Sequence, residues 1–331
     1  MATLHDVARI AKVNISTVSR YLSGELKVTP ETEARISIAL AQTGYKPNLI
    51  ARSLRKGLSN LIGVAAPDIY QPGIAGIVYG IDQYLSSTSY FLSLLMYKSQ
   101  AEREIYALQQ FRNMMVGGVI IIGHPLDYRN SDAKLTEILG KDTPIVLISR
   151  NFSKSDLVEI CPDQVAGAKL ITAHLLERGY KKIGLIVSHK SHPDARQKLV
   201  GYEQMLDEWG IPKNKDLIQE GYYDAALTAK AADRLIDEKV DAIFCTSDEM
   251  AIYTIERLRS RGLSVPNRVA VAGYGGSKWL QMISPKLTTV IVQVEELGRK
   301  AAEALIERRE NNISEGDLVR LPVQLRIGDT T

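Results

Sequence analysis

From Asn60 onward, short apolar runs that favour strands alternate with longer runs that favour helices, and this alternation constrains the fold more than any other feature. Such alternation is typical of a parallel, doubly wound α/β sheet. The pattern restarts after Cys161-Pro162, so the sequence predicts a second sheet of the same kind. The predicted strands are 61–66, 91–96, 119–122 and 145–149, then 183–187, 217–221, 242–246 and 269–273. The predicted helices are 74–86, 102–115 and 132–139, then 164–178, 195–209, 225–238 and 249–261. A run at 287–292, a helix at 294–311 and a strand pair near 319–327 complete the prediction.

The first 45 residues carry a different pattern, that of two short helices joined by a tight turn. Apolar residues recur at helical spacing in the run 4–11 and again in the run 14–22, so each helix has one apolar face. Asn14 is suited to cap the second helix. The opposite face of that helix carries side chains whose length and chemistry suit a DNA major groove, namely Ile15, Ser16, Thr17, Ser19 and Arg20.

Two small helices can begin any soluble chain, and a third helix makes the helix-turn-helix interpretation the stronger one. Thr29 as N-cap, Pro30 at the first helical position and Gly44 at the end bound this helix. We expect Ala34, Ile38 and Ala41 to supply its core face, with Ile36 and Leu40 beside them. The run 45–57 follows as one potential short helix, opened by Pro47 and closed by Gly57, that is too short to be stable alone in water.

The charge is distributed unevenly along the chain. Residues 1–57 contain nine Lys or Arg and four acids, a net +5, whereas the remainder is −2 and the whole chain is +3. A basic end on a slightly acidic body is expected of a protein that presents that end to a polyanion. A solvated basic face is the alternative, which the helix-turn-helix pattern makes weaker.

Several short motifs together resemble the LacI/GalR family of bacterial transcriptional repressors. In the first 57 residues they are Asp6-Val7-Ala8, Ser16-Thr17-Val18-Ser19-Arg20, Gly44-Tyr45-Lys46-Pro47-Asn48 and Ala51-Arg52-Ser53-Leu54. Further matches follow in family order: Asp163, Gly167, His174-Leu175, Gly179-Tyr180, Gly201-Tyr202, Asp248-Glu249-Met250-Ala251, Gly273-Tyr274 and Leu287-Thr288-Thr289-Val290. The resemblance therefore covers the whole chain.

The resemblance implies an all-α helix-turn-helix head (1–46), a hinge helix or linker (47–58) and a periplasmic-binding-protein-like core (59–330). The core would have two doubly wound parallel-sheet subdomains, one of about 59–160 plus 291–319 and the other of about 161–290 plus 320–330, joined by three strands. The DNA-binding residues implied are Thr3, Asn14, Ile15, Ser16, Thr17, Ser19 and Arg20 in the head, and Asn48, Ala51, Arg52, Leu54 and Arg55 in the hinge. Leu54, flanked by cations, is expected to wedge between base pairs of the minor groove.

Open α/β sheets bind ligands at the carboxyl ends of their strands. Carboxylates and an Arg there could chelate hydroxyls while aromatic faces cover a sugar ring, so a carbohydrate effector is expected. For each single residue a cap or a packing role remains an alternative. The candidates are Asp68, Tyr70, His124, Arg150, His192, Asp194, Arg196, Lys198, Tyr223, Asp248, Trp279 and Gln293.

Two departures from the family pattern fall in the expected effector cleft. Gly275 stands where relatives commonly carry Asp or Asn, and Lys198 stands where they commonly carry Arg; an aromatic usual near position 73 is also replaced, by Gly73. The effector therefore cannot be carried over from a relative. Cations at Arg150, His192, Arg196 and Lys198 favour a sugar phosphate, whereas internal pairing of Arg150 with Asp163 or Asp248 would leave a neutral sugar.

The remaining features exclude other classes of protein. Glycine-rich nucleotide loops and metal-ligand spacings are not found, and Cys161 and Cys245 fit small core residues, so we expect neither an enzyme nor a cofactor or metal site. No apolar run reaches the ~18 residues of a membrane helix and the start does not resemble a signal peptide. We therefore expect a cytoplasmic, nucleoid-associated homodimer on pseudo-palindromic operator DNA. A sugar receptor of periplasmic type is the alternative, disfavoured by the helix-turn-helix.

Overall fold

The computed structural model describes residues 2–22, 26–45, 59–123, 131–150, 157–282, 284–311 and 316–331. The chain divides into two compact units, Met1–Ser59 and Asn60–Thr331, which we call the head and the core unit. In these described ranges no helix combines the length and the apolar character needed to cross a membrane.

The head contains three helices whose ends are fixed by the residues that the sequence indicates. They are α1 (Leu4–Ala11), α2 (Ile15–Leu22) and α3 (Pro30–Thr43). Thr3 and Asp6 form a capping box at α1, the Asn14 side chain accepts from Ser16 N at 3.3 Å, and Thr29 caps α3. The predicted helix bounds and caps are confirmed.

The predicted core face of α3 is confirmed only in part, because Ile36 is buried and Leu40 packs against the head core but the three residues expected at its centre are not buried. Ala34, Ile38 and Ala41 are exposed, and Ile38 is 56% exposed. Ile36, together with Ala39, which was not predicted, is fully buried against α1 and α2. Apolar residues lie on two neighbouring stripes of this helix, and packing against the other two helices, which spacing alone does not show, selects the second stripe.

The core unit holds two six-stranded sheets, with helices alternating between the strands. Sheet A has the strand order β11-β5-β4-β3-β1-β2 and sheet B the order β12-β10-β9-β8-β6-β7, and every pairing is parallel except β10 with β12. The strands are β1 (Leu61–Ala66), β2 (Phe91–Met96), β3 (Gly118–Ile122), β4 (Ile145–Ile148), β5 (Val158–Pro162), β6 (Ile183–Val187), β7 (Ile218–Glu220), β8 (Ala242–Cys245), β9 (Ala270–Gly275), β10 (Thr288–Ile291), β11 (Leu318–Leu321) and β12 (Gln324–Arg326). The helices are α4 (Pro72–Leu85), α5 (Ala101–Asn113), α6 (Ser131–Leu139), α7 (Gln164–Glu177), α8 (Pro193–Glu208), α9 (Ala225–Asp237), α10 (Asp248–Ser260) and α11 (Val294–Asn311), with short 3-10 turns at Lys215–Leu217 and Lys278–Met282.

The two-sheet prediction is confirmed, and its strands and helices end within two residues of those observed. Central strands such as β3, β4 and β6 are buried along their whole length, which explains their continuous apolar sequences. The predicted strand list omits β5, the strand of sheet A after which the chain first crosses into sheet B. The chain passes between the sheets after β5, after β10 and between β11 and β12.

Two glycines allow α4 and α11 to pack closely on one face of sheet A. A Cβ at Gly80 would collide with the Glu295 carbonyl, and a Cβ at Gly298 would collide with the Ile77 carbonyl. The two backbones therefore approach each other where side chains would normally separate them. This contact fixes the start of α11 beside the cleft that opens between the sheets.

Candidate functional sites

The second helix of the head turns its apolar face inward and its polar face to solvent. Val18 is fully buried, whereas Asn14, Ser16 and Arg20 are exposed and Thr17 and Ser19 are half-buried. The Tyr21 hydroxyl donates to Glu33 Oε1 at 2.8 Å, which ties α2 to α3 and raises the pKa of Tyr21. The head thus presents a short, firmly held helix with a polar outer surface.

Other predicted DNA-binding residues have different surroundings. Ile15 is half-buried and packs against the head core. The Thr3 hydroxyl donates to Asp6 Oδ2 at 2.7 Å within the capping box, so its side chain serves the helix end. The five hinge residues lie outside the described residues: Asn48, Ala51, Arg52, Leu54 and Arg55.

A cleft opens where strand ends of both sheets meet, as expected for open α/β sheets. Its cavity measures about 1460 Å³ and extends along the outer face of α4, past Tyr79 and Gln83. Seven of the twelve predicted effector residues line it: His192, Asp194, Lys198, Tyr223, Asp248, Trp279 and Gln293.

Lys198 lies in the wall of the cleft and already has several partners. Its side chain is 6% exposed, and Nζ lies 3.4 Å from Asp194 Oδ2, one helical turn earlier on α8. The same Nζ donates to the Thr246 carbonyl at 3.2 Å and lies 4.3 Å from the centre of the Tyr274 ring. The ammonium therefore contacts an acid, a carbonyl and an aromatic face together.

Asp248 begins α10 and holds the loop after β9. Its carboxylate accepts from the Thr289 hydroxyl, from Ser277 N at 3.0 Å and from the Gly276 backbone. Burial raises the pKa of this carboxyl, while these hydrogen bonds act in the opposite direction. Gly275 has φ +134, and a Cβ there would lie 3.1 Å from Asp248 Oδ2. The carboxylate thus occupies the space that a side chain at 275 would need.

A small aromatic cluster lies next to His192, which lines the cleft. The rings of His189 and His192 are stacked, with their centroids 5.1 Å apart. The rings of His189 and Tyr222 are in a T-shaped arrangement, with their centroids 5.0 Å apart. Tyr222 and Tyr223 have positive φ values of 52° and 57°. Residues other than glycine rarely adopt this backbone conformation, and those that do are concentrated at functional sites. Burial raises the pKa of Tyr223, so its hydroxyl stays protonated.

Three polar side chains that line the cleft lack hydrogen-bond partners among the described residues, namely Gln164 at Oε1, Thr246 at Oγ1 and Tyr274 at its hydroxyl. The sequence-based list missed all three. Gln164 follows β5, which was not predicted as a strand. Thr246 is the last residue of one predicted strand and Tyr274 directly follows another, so a strand-end rule that included these two positions would have found them.

Four predicted effector residues do not line the cavity, and His124 lies outside the described residues. Asp68 Oδ1 accepts from Tyr70 N at 3.0 Å in a turn that leads into α4, and Tyr70 is 90% exposed. Arg196 is exposed on α8, because the helix turns it away from Asp194 and Lys198.

Arg150 is the clearest departure. It is fully buried, forms an ion pair with Glu104 of α5 and donates from its backbone to Glu159 Oε1 at 2.8 Å. The alternative prediction, that Arg150 pairs with an acid of the same chain, is confirmed. The predicted partners, Asp163 and Asp248, are wrong, because the partner is Glu104. The cause is local: Ser149 has φ 55°, so the chain reverses there and Ser149 lines the cleft in place of Arg150.

Comparisons with known proteins match both the head and the core unit. The family described as "Bacterial regulatory proteins, lacI family" matches residues 3–48, and "Periplasmic binding protein-like domain" matches residues 172–331. Catabolite control protein A of Priestia megaterium is 28% identical over 332 residues, which cover 99% of each chain. The structure is similar to a lac repressor dimer bound to operator and the anti-inducer ONPF (TM-score 0.87, 26% identity, 100% of this chain and 99% of that one). It is also similar to a complex of the transcriptional regulator CelR with cellobiose (TM-score 0.75, 26% identity, 100% of both chains).

Proposed function

Because this chain belongs to the LacI family of bacterial regulatory proteins, we propose that it represses a carbohydrate-utilisation operon under the control of a small sugar or sugar phosphate. The observation that carries the proposal is the presence, in one chain, of a basic helix-turn-helix head and a two-sheet core with a polar, aromatic cleft. The alternative, a receptor that binds sugar without DNA, leaves the family match of the head unexplained.

On the DNA side, α2 is the recognition helix. Ile15 and Ser16 at its start would touch base edges, where recognition helices read sequence. Arg20 can bind a guanine edge or a phosphate, and Thr17 and Ser19 can donate to phosphates. Thr3 and Asn14, at the starts of α1 and α2, would lie beside the DNA backbone. The hinge residues would become ordered in the minor groove, with Leu54 as a wedge between base pairs.

On the ligand side, the effector would bind in the cleft between the two sheets. The similar lac repressor structure contains ONPF and the similar CelR structure contains cellobiose. His192, Asp194, Lys198, Tyr223, Asp248, Trp279 and Gln293 would contact the effector. An aromatic face with nearby donors and acceptors suits a ring with one apolar side and several hydroxyls.

The two sites would communicate through the closure of the cleft. A ligand that binds one arrangement of the two sheets better than another shifts the population toward it. That shift would change the spacing of two hinge segments in a homodimer on a pseudo-palindromic operator, which gives a coupling free energy between effector and DNA. The similar lac repressor is a dimer on its operator. The protein would act in the cytoplasm on nucleoid DNA, and it would not be an enzyme.

Two measurements test the proposal. Selection of random duplexes by the purified full-length protein should yield a pseudo-palindromic consensus. Fluorescence anisotropy on that duplex, in the presence of sugars and sugar phosphates, should then show at least one compound that changes the operator Kd fivefold or more. A failure to enrich any duplex contradicts the regulator assignment, and an operator affinity that no sugar compound alters contradicts the carbohydrate effector.

A further inference from the structure

We propose that Asp194 makes the cleft selective for an uncharged, polyhydroxylated ligand, because it neutralises both Lys198 and the N-terminus of α8. This inference rests on the proposed function, since it concerns the effector of the same cleft. It decides between the sugar and the sugar phosphate, and it assigns that choice to one residue of this chain.

The first step is the state of Lys198. Its ammonium is nearly inaccessible to solvent, lies 3.4 Å from an Asp194 carboxylate that is 13% exposed, and donates to the Thr246 carbonyl. An anionic ligand would gain from Lys198 only by displacing Asp194, and it would then face the displaced carboxylate. Charge-assisted bonds strengthen anion binding only where the cation is not already neutralised.

The second step is the electrostatics of the helices around sheet B. Helix N-termini favour anions because their first N–H groups lack partners. Here each of the four helices from α7 to α10 has an acid at that end, so the positive ends are neutralised by the chain itself. These acids are Asp163 at α7, Asp194 at α8, Asp224 at α9, and Asp248 and Glu249 at α10.

The third step is the remaining charge of the cavity wall. Lys278 lies 2.6 Å from Glu295, Arg299 lies 2.6 Å from Glu296, and Arg326 lowers the pKa of the Asp248 carboxyl through its charge. Among the described residues that line the cavity, four Lys or Arg face five acids. The wall therefore carries no surplus of positive charge to attract a phosphate.

The fourth step is what the wall does offer. Gln164 Oε1, Thr246 Oγ1 and the Tyr274 hydroxyl are buried without hydrogen-bond partners among the described residues, and such groups cost free energy until they are paired. All three are neutral, and hydroxyls can act as both donors and acceptors. A ligand rich in hydroxyl groups satisfies them without bringing a charge.

The test is isothermal calorimetry with D-glucose, D-ribose and cellobiose, each paired with its phosphate monoester. In the unchanged protein we expect a sugar that binds to do so at least tenfold more tightly than its ester. Asp194→Asn keeps the shape of the side chain and removes its charge, so it should shift that ratio at least tenfold toward the ester, about 1.4 kcal/mol. Adding Lys198→Met should abolish the shift. Asp207→Asn, on the same helix and 59% exposed, should leave the ratio unchanged.

An ester that binds the unchanged protein more tightly than its sugar, or a ratio that Asp194→Asn leaves unaltered, overturns the proposal. If none of these sugars binds, the carbohydrate effector fails, and inorganic phosphate decides the question of charge separately. Asp194→Asn should then bind phosphate at least tenfold more tightly than the unchanged protein and lose this gain with Lys198→Met. Equal phosphate affinities of the three proteins would count against the role of Asp194.

Discussion

The head and the core unit are stabilised in different ways. Among the described residues the head buries one cluster of six apolar side chains, whereas the core unit buries four clusters, of which the smallest has eleven. The head therefore depends on local devices, such as the Thr3–Asp6 capping box and the Tyr21–Glu33 hydrogen bond. Loss of a buried contact of the same size should therefore unfold the head but leave the core unit folded.

The largest expected effect comes from Ile36→Ala in the head, matched with Ile120→Ala in sheet A. Both side chains are 0% exposed, and each truncation should cost about 3 kcal/mol. A core this small rarely supplies more than roughly 3–5 kcal/mol. Ile36→Ala should therefore unfold the head and reduce operator affinity more than a hundredfold, whereas Ile120→Ala should retain binding. Anisotropy and differential scanning calorimetry measure both, and equal operator affinities would contradict the comparison.

The next effect concerns one buried carboxylate of the core unit. Asp248→Ala removes the acceptor for the Thr289 hydroxyl and for the backbone N–H groups of Gly276 and Ser277. Each buried group left unpaired costs roughly 1–3 kcal/mol. We expect the free energy of unfolding of the core unit, measured in urea, to fall by about 3 kcal/mol, while the stability of the head stays unchanged. Thr289→Val removes only one donor and should cost less, so a larger loss in Thr289→Val would refute this account of Asp248.

A smaller effect should appear in DNA sequence preference without any change in stability. Replacing Ile15 by Thr and Ser16 by Gln should change the preferred base pairs at the operator positions that α2 reads, by about 1–3 kcal/mol per base pair. Arg20→Ala, if Arg20 contacts a phosphate, should weaken all sequences together and reduce the salt dependence. Selection of random duplexes measures both variants. An unaltered sequence preference in the double variant would mean that α2 does not read bases.

The smallest effect is a pH dependence confined to the core unit. Burial, together with nearby Arg178, lowers the pKa of His174 below its ordinary 6.5. The folded state therefore favours the neutral ring, and unfolding takes up a proton once the pH falls below about 6.5, so core stability should decline from pH 7 to pH 5.5. In His174→Gln this decline in Tm should be smaller. An equal decline in both proteins would assign it to other groups.

These regions also differ in how far the sequence predicts them. Buried parallel strands are continuous apolar runs between Gly, Pro and polar residues, so β1 and β6 were predicted at their observed bounds. The caps Asn14 and Thr29 are local signals and were predicted equally well, whereas the Thr3 cap was not predicted. The side of α3 that faces the core depends on contacts with the other helices.

The cleft was only partly predictable, because the end of a strand does not fix the direction of the next side chain. A single left-handed residue, Ser149, sends Arg150 into sheet A toward Glu104. On α8, Asp194 and Lys198 lie one turn apart and face the cleft, whereas Arg196 lies between them in the sequence and is exposed. Neither the φ of Ser149 nor the partner of Arg150 is visible in the order of residues.

The order of the strands has a consequence for protein synthesis. Sheet A ends with β11 beside β5 and sheet B ends with β12 beside β10, and these two closing strands are separated by only Pro322 and Val323. A nascent chain leaving the ribosome therefore exposes the open edges of β5 and β10 until both are covered almost together. Uncovered strand edges invite association with other chains. The late arrival of one short segment therefore leaves two strand edges of the growing polypeptide open to other chains, at a stage when the head can already have folded.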